Sequence, residues 1–87
     1  MKSYFLEGVR GRAETEAALS ELLPGQTDPW ILWHVPGDPI AYLSIGEERN
    51  ALYVQADISG RHCRQDDTVV DVLRELQRRV GGIVGRD

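Results

Sequence analysis

The chain has 87 residues, of which 41% are hydrophobic and 28% charged, and its net charge is -4. That length fits a single domain over residues 1–87, one that buries roughly 60–65% of the surface its unfolded chain exposes. One cysteine excludes an internal disulfide and any multi-cysteine zinc site, and the acidic balance argues against non-specific binding to phosphate backbones.

The opening stretch, "MKSYFLEGVRGR", holds an apolar run that Glu7 interrupts too early for a signal peptide. No stretch approaches the ~20 apolar residues a membrane span needs. The expected setting is therefore cytoplasmic and soluble, with no membrane partner.

Residues 2–8, rich in aromatic and apolar side chains, read as a first strand that Gly8 and Gly11 break. Residues 12–23, "RAETEAALSELL", are strong helix formers, with Ala13, Ala17, Leu19, Leu22 and Leu23 as the apolar stripe. Pro24-Gly25 stops this helix. Residues 30–35, 40–45 and 51–58 then read as three strands of a meander, joined by the turn "PGDP" and the polar loop "GEERN".

A second helix follows, capped by Asp67 or Thr68. Val69, Val70, Leu73, Leu76 and Val80 recur along it at spacings of three and four. Gly81 or Gly82 supplies its C-cap, and residues 82–86 offer a short last strand. The order β-α-β-β-β-α-(β) predicts an α+β fold: one mostly antiparallel sheet with two helices packed on one face, ferredoxin-like in layout. That likeness is one of layout alone and carries no function.

Strand alternation sorts the meander into two faces. One holds Ile31, Trp33 and Val35, then Ala41, Leu43 and Ile45, then Leu52, Val54, Ala56 and Ile58, and is expected beneath the helices. The other holds Trp30, Leu32, His34, Ile40, Tyr42, Ser44, Tyr53, Gln55 and Asp57. This second set is too apolar for ordinary solvated surface and too polar for a core. Tyr and Trp bury large areas while keeping a polar handle, so such a face suits association. An aromatic sheet face could also stack single-stranded RNA, but that requires a surrounding basic groove, which a chain with 10 Lys and Arg against 14 Asp and Glu lacks.

The loop "SGRHCRQDD", residues 59–67, concentrates the cysteine, a histidine, two arginines and two aspartates. Arg61, Arg64 and the nearby helix start would lower the Cys63 thiol pKa, while Asp66 and Asp67 oppose its ionisation. His62 is adjacent in sequence, but adjacent residues project in different directions. The aspartates would also repel a phosphate at the helix start, and the donors lack zinc-site spacing. The loop thus reads as a strand-to-helix connection with a self-satisfied cap, and no catalytic residue, metal or cofactor is assigned.

The leading functional expectation is a small interaction module, a homodimer or accessory subunit, acting through the aromatic sheet face. Its candidate binding residues are Trp30, His34, Tyr42, Tyr53, Gln55 and Asp57, with Arg61, His62 and Cys63 from the loop. A small enzyme or small-molecule binder using His34, Tyr42, Tyr53 and Asp57, with Cys63 or His62 contributing from the loop, is the alternative. A third possibility is an acidic inhibitor of a basic partner, in the manner of immunity proteins, built on Glu14, Glu16, Glu47 and Glu48.

Overall fold

The computed structural model describes residues 2–62 and 64–86. The elements are β1 (Ser3–Glu7), α1 (Arg12–Leu22), β2 (Trp30–Val35), β3 (Asp38–Glu48), β4 (Ala51–Ile58), a single 3-10 turn (Gly60–His62), α2 (Asp66–Val80) and β5 (Ile83–Arg86). The five strands form one antiparallel sheet in the order β2-β3-β4-β1-β5. This is an α+β fold, and residues 83–86 do form the last strand.

Both helices contribute to the same core, so both lie on one face of the sheet. Ala18, Leu19 and Leu23 at α1 meet Val69, Leu73, Leu76 and Val80 of α2 over Leu6, Leu43, Val54, Ala56 and Ile58. The α2 stripe is as the spacing predicts, except that Val70 is half-buried. The α1 stripe is rotated. Ala13 and Ala17 are exposed, and the buried line is Thr15, Ala18, Leu19 and half-buried Leu22. Thr15 can join a core face because its Oγ1 donates to the Gly11 carbonyl at 2.6 Å, leaving no unsatisfied hydroxyl.

Neither expected residue caps α2. Gln65 is the cap position, with no side-chain bond to the helix's free N–H groups, and the helix starts at Asp66. The Asp66 carboxylate instead accepts from the Tyr4 hydroxyl at 2.5 Å and from Lys2 Nζ at 3.1 Å. These bonds, the Tyr4 one foremost, hold the Asp66 carboxyl below its ordinary pKa. They also tie the first turn of α2 to β1. At the other end Gly81, with φ 76°, closes the helix.

The β3–β4 hairpin turns on Arg49 and Asn50, with φ of 53° and 66°. Positive φ at both central residues matches the right-handed strand twist, which lets β3 run to Glu48, beyond the expected end at residue 45.

The β2–β3 hairpin overturns one expectation. Trp30 pairs with Leu43 and Leu32 with Ala41, so Trp30 and Leu32 face the helices. Trp30 is only 4% exposed, and its Nε1 donates to Ser20 Oγ on α1 at 3.1 Å. Ile31 pairs with Tyr42 on the opposite face, while Trp33 and Val35 are exposed. Both parities of "WILWHV" are apolar, so alternation within the strand cannot choose a face; pairing with β3 does. The ladder then shifts by one residue, inserting Ile40 between the Leu32–Ala41 and Trp33–Pro39 pairs. Pro39 has no N–H to offer a regular ladder, and the shift turns Ile40 into the core rather than onto the second face.

Candidate functional site

The sheet face opposite the helices is ordered by strand pairing into cross-strand rows. One row runs Ser3, Asp57, Tyr42, Ile31; the next runs Phe5, Gln55, Ser44; a third runs Glu7, Tyr53, Gly46. Asp57 stands at the polar centre. Its Oδ1 accepts from Ser3 Oγ at 2.5 Å and from Gln55 Nε2 at 2.8 Å. Gln55 and Asp57 are two apart on β4 and therefore share a face, which is why their side chains meet.

Aromatic groups flank this centre. Tyr42 is 40% exposed. Tyr53 lies across Gly46, where an added Cβ would come within 2.3 Å of its ring. The edge of one ring meets the other between Phe5 and Tyr53, with centroids 6.2 Å apart and planes at 63°. Phe5, Ser44, Tyr53, Gln55 and Asp57 are all half-buried, and Ile31 is buried. The face is thus better packed on itself than alternation alone suggests, with Tyr42 as its exposed aromatic.

A second constellation forms where the 59–67 loop meets the β2–β3 hairpin. The 3-10 turn is held by His62 N–H donating to the Ser59 carbonyl and Gln65 N–H to the His62 carbonyl, both at 2.9 Å, while Ser59 N–H donates to the Ile40 carbonyl at 2.8 Å. This aims His62 at the hairpin. Its Nε2 lies 3.0 Å from Asp38 Oδ1, and Gln65 Nε2 lies 3.2 Å from its Nδ1. With Gln65 donating to Nδ1, the ring proton sits on Nε2 and is donated to Asp38. The His34 ring is tilted against His62, with centroids 5.3 Å apart, and Arg61 Nη1 approaches Asp38 Oδ1 at 3.8 Å.

The His62 hydrogen bond is the main reason the Asp38 carboxyl is held below its ordinary pKa. Desolvation opposes that shift; the charge of Arg61 assists it, as do those of His62 and His34 wherever these rings are protonated. Chemically this is an oriented imidazole with both nitrogens engaged. Acting as a base, His62 would first have to release Gln65. Among the described residues no group of three or more His, Cys, Asp or Glu is arranged to hold a metal ion.

The nine residues expected at a site therefore separate. Tyr42, Tyr53, Gln55 and Asp57 share the second sheet face. His34, Arg61 and His62 gather at the loop. Trp30 belongs to the core, and Cys63 lies outside the described residues. Sequence reading missed Ser3 and Phe5, which alternation along β1 places on the second face. It also missed Asp38 and Gln65. Asp38 is 24 positions from His62, with no local signal linking them. The chain matches no protein-family model, no curated protein and no solved structure.

Proposed function

We propose that this chain is a small interaction module of one domain that pairs with a second copy of itself through the sheet face opposite the helices. The observation carrying this reading is the placement of both helices on one side, which leaves the row Ser3, Asp57, Tyr42, Ile31 without a covering element among the described residues. An aromatic face of this kind is more stable covered than wet, and a two-fold axis covers it with its own copy. In layout the fold is ferredoxin-like: β1, β3, β4 and β5 with their two helices make the basic unit, and β2 adds an edge strand.

A nucleic-acid partner is disfavoured. On α2, Arg79 pairs with Glu21 and Glu75, and Arg78 with Glu75, so part of the cationic charge there is already matched. No helix among the described residues is long and apolar enough to cross a membrane, and our reading keeps the protein cytoplasmic. Cofactors form no part of it.

Sedimentation equilibrium of the wild type and Tyr42→Asp tests the proposal. Tyr42 is the better single target because Tyr53 is packed on Gly46 and Phe5. A charge introduced at a desolvated contact is costly. The expected result is a wild-type dimer at micromolar concentration and a folded monomeric variant. A monomeric wild type, or a dimer unchanged by Tyr42→Asp, defeats the reading.

One observation favours a second reading as a small ligand-binding domain or enzyme: the Asp38–His62 pair, assembled from distant parts of the chain at 3.0 Å. In that case His62→Ala would abolish binding or turnover while leaving the dimer intact.

A further inference from the structure

At the β3–β4 turn end of the second face, away from Tyr42, Phe5, Glu7, Glu48 and Tyr53 line a groove of about 200 Å³. It opens beside a second hollow of about 310 Å³, which shares Glu7, Glu48 and Tyr53 with it. The sheet order β3-β4-β1 explains the arrangement. Tyr53 on the middle strand forms the floor. Glu7 on β1 is its direct cross-strand neighbour, and Glu48 on β3 stands one step beyond Gly46 on the other side. Two carboxylates thus flank an aromatic floor from opposite strands.

Three features give this groove a preference. Its floor is set in advance: Gly46 has no side chain, so the Tyr53 ring lies down over it, and the Phe5 ring fixes Tyr53 edge to face. Its charge is uncompensated: neither the Glu7 nor the Glu48 carboxylate joins an ion pair or side-chain hydrogen bond among the described residues, although the chain elsewhere pairs Asp38, Asp66, Glu21 and Glu75. Arg49 lines the outer hollow without an ion pair to either carboxylate. Finally, its chemistry is mixed, an aromatic face with negative charge on both sides. That is the environment in which a cation gains both from the ring quadrupole and from carboxylates.

We propose that this groove is a binding site for a guanidinium group, the arginine side chain of a basic partner polypeptide. A guanidinium is flat, stacks on a ring face, and directs donors sideways in its own plane, towards where Glu7 and Glu48 stand. An ammonium offers a single point of charge and does not use the floor in the same way. The groove lies on the same face as Tyr42 but two rows along the sheet, at its turn end, so the titration below is run on the Tyr42→Asp variant as well as the wild type, and self-association cannot mask the site.

The test is an NMR titration at low ionic strength with N-acetyl-arginine-N-methylamide, with the isosteric neutral citrulline amide as control. The readout is local, at the Phe5 and Tyr53 rings and the Gly46 amide, and does not depend on the mass of the protein. The arginine amide should give saturable shifts there, and the citrulline amide should bind about ten-fold more weakly. The double substitution Glu7→Gln plus Glu48→Gln, at exposed positions, should weaken the arginine amide by a similar factor. Equal binding of the two probes, shifts that map elsewhere, or unchanged affinity in the double variant would each overturn the proposal.

Discussion

His62 donates from Nε2 to Asp38 Oδ1 over 3.0 Å, joining the turn before α2 to the first residue of β3 across 24 positions of chain. Because this bond favours the charged carboxylate, the folded state holds the Asp38 pKa below its ordinary value of 3.8. The resulting stabilisation is complete above the ordinary value and is lost as pH falls through the lowered one. Asp38→Asn should therefore melt below the wild type at neutral pH, with the gap closing under acid, below about pH 4. Thermal melts from neutral to acid pH check this; a gap that stays constant across the range would show that the ionised carboxylate contributes nothing.

The two tryptophans should be spectroscopically distinct. Trp30 is buried and bonded to Ser20, while Trp33 is 42% exposed. Acrylamide should quench the emission of Trp30→Phe, which retains Trp33, far more strongly than that of Trp33→Phe. Trp30→Ala should cost about 3–5 kcal/mol, the usual scale for emptying a large aromatic site, and Trp33→Ala much less. Stronger quenching of Trp33→Phe than of Trp30→Phe would restore the opposite facing of β2, and equal quenching would contradict the burial of Trp30.

Gly46→Ala probes the floor of the second face. The new methyl would meet the Tyr53 ring at 2.3 Å, so the ring must leave its seat. Overpacking of this kind typically costs about 1–3 kcal/mol. Denaturant unfolding measures the cost, and the loss of the ring-current shift between Phe5 and Tyr53 reports the displacement. An unaltered Tyr53 spectrum would contradict the packing described.

Leu73 and Leu76 are fully buried between α2 and the sheet. Either residue changed to Ala should lower stability by about 2–4 kcal/mol. Urea titration measures this, and losses below about half a kcal/mol at both sites, the scale of an ordinary surface change, would mean that α2 does not close the core.

The elements, their order and the α2 stripe were legible in the sequence because each rests on local chemistry. Spacing of three and four marks a helix face wherever one side is clearly apolar, as from Val69 to Val80. Alternation marks a strand face where the two parities differ, as they do in β4. The same rules failed where the local signal was degenerate. In β2 both parities are apolar, and only its register against Leu43 and Ala41 sends Trp30 inward. In α1 the buried line passes through Thr15, whose polar label hides a hydroxyl satisfied by its own turn.

The candidate sites depended still more on tertiary structure. Alternation along β4 was enough to put Tyr53, Gln55 and Asp57 on one face, since a strand's side-chain directions are fixed by its own backbone. Which groups stand opposite them is a matter of strand pairing: Ser3 reaches Asp57, and Glu7 and Glu48 come to flank Tyr53, through β1 and β3 joining β4. The loop behaved likewise. The sequence by itself determined that His62, arginines and aspartates crowd into residues 59–67, but not that His62 turns towards Asp38 rather than Asp66. The backbone of the 3-10 turn and the β2–β3 hairpin decided that. A hydrogen bond between side chains far apart in sequence depends on where whole elements pack, and no residue type or spacing near either partner encodes it.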